Sequence, residues 1–185
     1  MSGGARQRVF LALGSNRDAA VNLPRAVSAL AAYGTLGAVS AAYETVPVGT
    51  DDPTPFLNAA LELTTDVAAE RFKQEIIADI ERSLGRVRDP RDACAPRTID
   101  IDIALWGEFV GRICGRPVPD PDILRQLHLA WPLAEIAPDL HHPTDGRTLA
   151  AIARDLAQGV SLPLCRSDVI LTGSDRESPP RDGDS

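Results

Sequence analysis

The order of apolar and polar residues along the chain predicts a mixture of strands and helices. A short apolar run at residues 9–13 predicts a strand that ends at the turn Gly14-Ser15-Asn16. Apolar residues recur at helical spacing over residues 23–33, and Gly34 then favours a stop. Apolar or loosely alternating segments predict three further strands, at residues 39–46, 56–64 and 98–106.

The clearest helical pattern lies between the last two of these strands. Apolar residues fall there at every fourth position, namely Phe72, Ile76, Ile80 and Leu84. Gly85 favours the end of that helix. Three later segments predict a proline-rich loop, a short apolar segment and a helix, at residues 117–122, 130–137 and 149–156.

These elements do not follow a strict β-α-β-α alternation. A hairpin-like pair of strands surrounds Pro47, which favours antiparallel pairing. The sequence therefore predicts a single α+β domain whose antiparallel or mixed sheet is covered by helices. After about residue 173 the chain contains only Gly, Ser, Asp, Arg, Glu and Pro, which predicts a disordered tail.

Composition and charge narrow the classes of function. The 185 residues are 44% hydrophobic and 24% charged, as in an ordinary globular protein. The net charge of −7 gives no electrostatic footprint for nucleic acid or an anionic membrane. The three cysteines match neither a zinc spacing nor a redox pair, and their odd number favours a reducing cytoplasm. No apolar run is long enough to cross a bilayer.

Asp100 and Asp102 are the strongest candidates for chemistry. Residues two apart on a strand point to the same face, so the two carboxylates project together while Ile99, Ile101 and Ile103 point the other way into a core. Such a pair is an Mg²⁺ site if waters and substrate phosphates complete the coordination. The alternative is the solvent-facing edge of an amphipathic strand.

Basic residues and one glutamate flank that strand in sequence. The arginines are Arg86, Arg88, Arg91 and Arg97. They either bind phosphate oxygens or form ordinary surface salt bridges. The charged segment 86–96 has no apolar anchor, which predicts a mobile lid. Glu81, off the apolar face of its helix, either orients an arginine such as Arg97 or is a plain surface residue.

Five blocks of sequence also match the pattern of a known family in order and approximate spacing. They are LALGSN (11–16), YETVPVG with PFLNAA (43–49, 55–60), IE with LGRVR (80–88), APRTIDIDI (95–103) and WPLAEIAP (131–138). Residues 95–103 closely resemble the signature GPRTLDLDL. Over roughly residues 9–156 the chain resembles the 6-hydroxymethyl-7,8-dihydropterin pyrophosphokinase family.

The resemblance implies a ferredoxin-like fold and a Mg²⁺-dependent enzyme. The implied reaction transfers the β,γ-pyrophosphoryl group of ATP to the hydroxymethyl group of a dihydropterin in folate synthesis and releases AMP. The catalytic domain would span residues 8–158, followed by an extension at 159–172 and the tail at 173–185. The partners would be the pterin and ATP, and the protein would be a cytoplasmic monomer or weak dimer.

The resemblance also implies roles for individual residues. Asp100 and Asp102 would hold two Mg²⁺ ions, and Arg86 and Arg97 would contact phosphates. The expected nucleotide contacts are Glu81, Ile103, Arg116 and Arg125. The expected pterin contacts are Thr45, Val46, Val48, Phe56 and Asn58, with Phe56 stacking on the ring and Asn58 bonding its polar edge.

Several positions depart from the family pattern on the nucleotide side. Asp120 stands where a phosphate-facing His is expected, Gln126 where an Arg is expected, and His128 where a second aromatic ring is expected. The stretch 92–95 lacks the usual Trp, and Ala95 replaces a Gly. A negative charge at residue 120 is expected to weaken ATP binding.

Three hypotheses follow from these matches and departures. The chain is a pyrophosphokinase of the folate type with altered nucleotide contacts, or a paralogue that acts on another pterin or heterocyclic alcohol. Alternatively, it is a pterin- or nucleotide-binding protein that has lost catalysis. The retained carboxylate pair and arginines favour the two enzyme hypotheses, and the substitutions at the nucleotide side favour the last two.

Overall fold

The computed structural model describes residues 6–46, 54–86 and 97–172. Its strands are β1 (Gln7–Ser15), β2 (Thr35–Val39), β3 (Tyr43–Thr45), β4 (Phe56–Thr65), β5 (Asp100–Trp106), β6 (Gly111–Ile113), β7 (Arg116–Val118) and β8 (Leu164–Cys165). Its α-helices are α1 (Ala19–Leu30), α2 (Ala69–Arg71), α3 (Ala78–Ser83), α4 (Leu127–Ile136) and α5 (Leu149–Leu156). A π-helical segment (Phe72–Ile77) joins α2 to α3, and 3₁₀ turns span Ala31–Tyr33 and Pro121–Leu124.

The main sheet has the strand order β5-β1-β4-β3-β8, and β2 also pairs with β4. Each of these pairs is antiparallel. The first strand therefore lies between the last long strand and β4, with α1 and the helix of α2 and α3 as the two crossovers. This arrangement confirms the predicted α+β, ferredoxin-like sheet covered by helices.

Helices cover both faces of the sheet, because successive side chains along each strand point to opposite faces and both faces carry apolar residues. The isoleucines of β5 and its entrance pack with α1 and the α2–α3 helix, where Leu23, Phe72 and Ile77 are buried completely. On the opposite face, Phe10 and Ala104 pack with α4 and α5. The carboxylates of Asp100 and Asp102 follow the same alternation as Ala104 and so lie on this second face.

The second helical layer covers only part of its face. Its buried core begins at Ala60 and Ala104. Farther along the same strands, Ala12, Gly14 and Asn58 line an open cleft. Small residues on β1 leave this part of the sheet accessible, so the end of the sheet nearest Asp100 forms a floor rather than a core.

The predicted strand at 39–46 is divided in the structure, and its first part begins earlier. The backbone N–H of Ser40 donates to the carbonyl of Ala60, and its hydroxyl accepts from the N–H of Ala60, both at 2.9 Å. The next N–H, of Ala41, turns to the carboxylate of Glu135 at 3.1 and 3.2 Å. Between β2 and β3, side-chain acceptors therefore replace part of the hydrogen-bond ladder with β4. A period-two pattern of apolar residues does not predict such a break.

Other boundaries also differ from the sequence prediction. The loop predicted at 117–122 overlaps the end of β7 and the start of a 3₁₀ turn, and the apolar segment predicted at 130–137 overlaps the helix α4. The extension at 159–172 joins the main sheet, because β8 pairs with β3 and Val169 and Leu171 are buried in the larger core. The predicted tail at 173–185 lies outside the described residues.

The buried imidazole of His142 makes stability depend on pH. His142 is 2% exposed, and its Nδ1 accepts from the backbone N–H groups of Thr144 and Asp145 at 3.4 and 3.2 Å. Within the described part of the chain, its Nε2 has no hydrogen-bond partner. Burial lowers the pKa of His142 below its ordinary value, although the Asp145 carboxylate opposes the shift.

We expect wild-type stability to fall as the pH falls from about 6.5 towards 5, because the unfolded chain then binds a proton that the folded chain excludes. His142→Asn keeps an acceptor for the turn but does not titrate, so its free energy of unfolding should change less over this range. Urea denaturation at a series of pH values measures both slopes. Equal slopes for the two proteins would contradict this assignment.

Candidate active site

Asp100 and Asp102 lie on one face of β5 and line two adjoining clefts, as their spacing predicted. The larger cleft has a volume of about 500 Å³ and the smaller about 330 Å³. In the sheet register, Asp100 is opposite Gly14 on β1, and Gly14 is opposite Asn58 on β4. Two strand spacings, about 10 Å, thus separate the carboxylate pair from the Asn58 amide along a continuous floor.

Two arginines hold the carboxylate of Asp100. Arg86 contacts its Oδ1 and Arg97 contacts its Oδ2, so both oxygens have a cationic partner. Burial alone would raise the pKa of Asp100, but the two guanidinium groups outweigh burial and the pKa is lowered. The carboxylate is therefore ionised at neutral pH although its side chain is only 17% exposed.

Glu81 holds Arg86, one of the two arginines that bind Asp100, against β5. Its side chain is 3% exposed, and its Oε1 accepts from the N–H of Ile101 at 3.0 Å and from Arg86 Nη1 at 3.3 Å. Arg86 Nη1 also donates to the carbonyl of Ile99 at 2.8 Å. Glu81 is thus neither a surface residue nor part of a cleft wall. This position differs from the expected nucleotide contact and favours a role in fixing Arg86 against β5.

The turn Gly14-Ser15-Asn16 binds the segment that enters β5. Asn16 Oδ1 accepts from the N–H of Arg97 at 2.7 Å, and the N–H of Asn16 donates to the carbonyl of Arg97 at 3.1 Å. The hydroxyl of Ser15 donates to the carbonyl of Thr98 at 2.6 Å. The first and last long strands are therefore tied together beside Arg97, which fixes that residue at the mouth of the cleft.

Lys73 is a site residue that the sequence reasoning missed. Its Nζ donates to Asp102 Oδ1 and to the carbonyl of Ile101, both at 2.9 Å. Lys73 directly follows the buried Phe72, and the sequence pattern predicts only that it lies at the polar border of an amphipathic helix. Only the packing of that helix against β5 brings Lys73 to Asp102.

The expected pterin contacts lie together at the other end of the larger cleft. Thr45, Val46, Phe56 and Asn58 line it, and Asn58 Nδ2 donates to Thr45 Oγ1 at 2.8 Å. Val48 lies outside the described residues. The carboxylate of Glu135 supports this strand from α4, because it also accepts from the hydroxyl of Tyr43 at 2.9 Å. Burial, together with that hydrogen bond, raises the pKa of Tyr43 to about 12.

The positions that depart from the family pattern also face the larger cleft. Asp120, Gln126 and His128 line it. Asp120 caps the following 3₁₀ turn by accepting from the N–H of Asp122 at 2.9 Å. Burial raises the pKa of Asp120, and the nearby carboxylates of Asp102 and Asp122 add to the effect.

The remaining expected nucleotide contacts divide between the cleft and the surface. Ile103 and Arg116 line the smaller cleft. Arg125 is exposed and lies on the wall of neither cleft. Its backbone ends the 3₁₀ turn, which directs the chain into α4. Most of the expected lid, residues 87–96, lies outside the described residues.

The donors at β5 suit a hard divalent cation that also binds phosphate. Within the described ranges, no group of three or more His, Cys, Asp or Glu side chains forms a complete metal cage. Asp100 and Asp102 offer two carboxylates in an open cleft, and Mg²⁺ commonly takes one or two protein carboxylates with phosphate oxygens and waters. The pair therefore fits a metal that arrives with a polyphosphate.

Removing the carboxylate of Glu81 should destabilise the protein strongly. Glu81→Ala leaves the buried backbone N–H of Ile101 without its acceptor and removes one anionic partner of the mostly buried Arg86, and we expect the free energy of unfolding to fall by about 3 kcal/mol. Asp79→Ala, on the same helix, removes a carboxylate whose ion pair with Arg82 is exposed. It should cost less than about 1 kcal/mol. Urea denaturation compares them, and similar losses would exclude a positioning role for Glu81.

Comparison with known proteins agrees with this geometry. Residues 10–138 match the family model of 7,8-dihydro-6-hydroxymethylpterin-pyrophosphokinase (HPPK). The 2-amino-4-hydroxy-6-hydroxymethyldihydropteridine pyrophosphokinase of Pseudomonas aeruginosa is 38% identical over 148 residues, which cover 77% of this chain and 88% of the relative. The enzyme of that name from Methylorubrum extorquens is 39% identical over 136 residues, covering 72% and 84%.

Solved structures show the same fold. Wild-type HPPK-DHPS of Plasmodium falciparum superposes with a TM-score of 0.67 at 14% identity, covering 84% of this chain and 45% of that longer chain. The structure described here also has no helix long and apolar enough to span a membrane within its described residues. With a family model matched over most of its length and relatives near 40% identity, this chain belongs to the HPPK family.

Proposed function

We propose that this chain transfers the β,γ-pyrophosphoryl group of ATP to the hydroxymethyl group of 6-hydroxymethyl-7,8-dihydropterin and releases AMP. The observation that carries the proposal is the row formed by Asp100, Gly14 and Asn58 across three strands. A candidate phosphate and metal pole and a candidate pterin pole thus share one cleft, at a separation that suits an acceptor alcohol beside a bound nucleotide. Family membership supports the same reaction.

The pterin end of the cleft provides a flat apolar wall and an amide. Phe56 is half-buried on the wall, and the amide of Asn58 is buried at the floor with one donor held by Thr45. A pterin presents flat faces and an edge of hydrogen-bond donors and acceptors, so a ring and an amide recognise it. The absence of a Cβ at Gly14 keeps the floor low, since such an atom would lie 3.4 Å from Asn58 Oδ1.

The phosphate end provides charge and position rather than a nucleophile. Arg97 is 37% exposed at the cleft, and Arg116 lines the smaller cleft, so both offer guanidinium donors to phosphate oxygens. Asp100 and Asp102 would hold Mg²⁺, which would neutralise charge on the polyphosphate and align its oxygens. The binding of two Mg²⁺ ions, rather than one, is part of this proposal.

A paralogue with a different acceptor or donor is the second candidate. It is favoured by the side chains at Asp120, Gln126 and His128, which line the cleft but differ in charge or ring character from the family pattern. A binding protein without catalysis is disfavoured, because it would have little need of the carboxylate pair, in which Asp100 is held by Arg86 and Arg97 and Asp102 by Lys73. We further propose a cytoplasmic monomer or weak dimer.

The reaction itself is the first test. Purified protein with Mg²⁺, ATP and hydroxymethyldihydropterin should form AMP only when all three are present, and chromatography of the nucleotides measures it. Asp102→Asn should lower turnover by about 100-fold or more, because it removes charge from the metal and phosphate pole. Asp139→Asn, exposed and away from both clefts, is the matched control. Full activity of Asp102→Asn, or AMP formation without pterin, would contradict the proposal.

The charge at Asp120 should set the affinity for ATP. Asp120→Asn keeps a good cap for the 3₁₀ turn and removes a carboxylate from the cleft, so binding should tighten by about 1 kcal/mol, or roughly fivefold. The triple change Asp120→His, Gln126→Arg and His128→Phe should tighten it further and raise turnover. Calorimetry with a Mg²⁺–ATP analogue measures both. Low micromolar affinity already in the wild type would show that the substitutions are compensated elsewhere.

If the chain instead evolved for another substrate, the triple change should not raise turnover with ATP and the dihydropterin. The calorimetric and kinetic results together therefore separate a weakened ATP site from a changed one.

A further inference from the structure

Lys73 is the only lysine among the 19 lysine and arginine residues of the sequence. It occupies the second position of the π-helical segment Phe72–Ile77. Wide turns of this kind are rare in helices and occur frequently at functional sites. The side chain is 13% exposed and lines the smaller cleft, together with Arg86, Arg97 and Arg116.

The ammonium group of Lys73 has unused hydrogen-bonding capacity. It carries three N–H donors. Its partners among the described residues are Asp102 Oδ1 and the carbonyl of Ile101. One donor therefore remains for a ligand in the cleft. The contact with Asp102 also places this donor beside the carboxylate pair, where the phosphates of the proposed nucleotide would lie.

The charges of the smaller cleft explain why such a donor matters. The acidic side chains on its wall are Asp100, Asp102, Asp120 and Asp122. The basic side chains are Lys73, Arg86, Arg97 and Arg116. These charges balance in the protein alone, and Arg86 is already held by Asp100, Glu81 and the carbonyl of Ile99. A polyphosphate adds several negative charges, so the cleft must supply further donors as well as metal ions.

A lysine suits this position better than an arginine. Its charge is compact and sits on a flexible four-carbon stem, whereas a guanidinium is planar and holds carboxylates in a fixed fork. An ammonium can therefore move from Asp102 to a phosphate oxygen over a short distance within the same cleft. Arg71, two residues earlier on the same helix, is exposed and pairs with Glu75 at the surface.

We propose that Lys73 binds the transferable phosphates of the donor nucleotide and is a counter-ion of Asp102 when the nucleotide is absent. The inference rests on the proposed function and adds a residue to it. Lys73 supplies part of the positive charge that Asp120 and Gln126 do not provide at the nucleotide side.

Calorimetry with a non-hydrolysable Mg²⁺–ATP analogue tests the proposal. Lys73→Met should weaken binding roughly tenfold to a hundredfold, and Lys73→Arg should recover part of the loss. Arg71→Met, a cation removed from the same helix outside the cleft, should bind as the wild type does. Affinity for Mg²⁺–AMP, which lacks the transferable phosphates, should change less than twofold in Lys73→Met. An unchanged or tighter affinity of Lys73→Met for the ATP analogue would overturn the proposal.

The wild-type protein provides a second measurement that does not depend on how the variant folds. Because the chain has one lysine, protein labelled with ¹³C-lysine gives a single set of ε-methylene signals. These signals should shift on addition of the Mg²⁺–ATP analogue and stay unchanged with Mg²⁺–AMP. Binding of the analogue without a shift would overturn the role of Lys73 alone. No binding of the analogue to the wild type would overturn the proposed function together with it.

Discussion

The site depends on the cost of burying the Asp100 carboxylate. A mostly buried carboxylate is stable only with cationic partners, and here Arg86 and Arg97 fill both of its oxygens. Arg86 also contacts Glu81, which accepts from the backbone N–H of Ile101 on β5. This chain of charges ties the α2–α3 helix to β5. The position of the proposed phosphate pole is thus fixed by electrostatics before any ligand binds.

The shape of the cleft has a separate origin in the sheet. Helices α4 and α5 cover the second face only as far as Ala60 and Ala104. Beyond that edge, Ala12 and Gly14 on β1, which lies between β4 and β5, leave space between Asn58 and the aspartates. A larger residue on this strand would fill the floor and separate the two poles. The proposed pterin and phosphate ends therefore share a cleft because β1 carries small residues between the polar residues of β4 and β5.

The charge balance of the cleft links the family pattern to its local departures. Asp120 adds a carboxylate near Asp102 but also caps the 3₁₀ turn that leads to α4. Its effect is therefore partly structural, and the cap holds that wall of the cleft. Gln126 and His128 leave the same wall without the cations or the ring expected there. Positive charge comes instead from the β5 side, through Arg97, Arg116 and Lys73.

Local sequence was enough to predict much of the fold and the carboxylate pair. The period-two pattern around Asp100 and Asp102 requires both side chains to share a face, and the period-four apolar positions require a helix that packs on the sheet. The family blocks were recognisable because they combine unusual residues at fixed spacing. Each of these signals lies within a few consecutive residues, so the chain itself carries it.

Contacts between distant segments were decided only by the tertiary structure. Lys73 contacts Asp102, which lies 29 positions away in the sequence. Glu135 binds the backbone of Ala41 between β2 and β3 from 94 positions away, and β8 adds an edge strand to the sheet. Exposed Arg125 and buried Glu81 could not be distinguished by residue type, because both are charged residues at helix or turn ends. Periodicity along the sequence indicates which face of its element a residue occupies, but not what that face contacts. How deeply the residue is buried, which partner it binds and how its charge is balanced depend on how the elements pack.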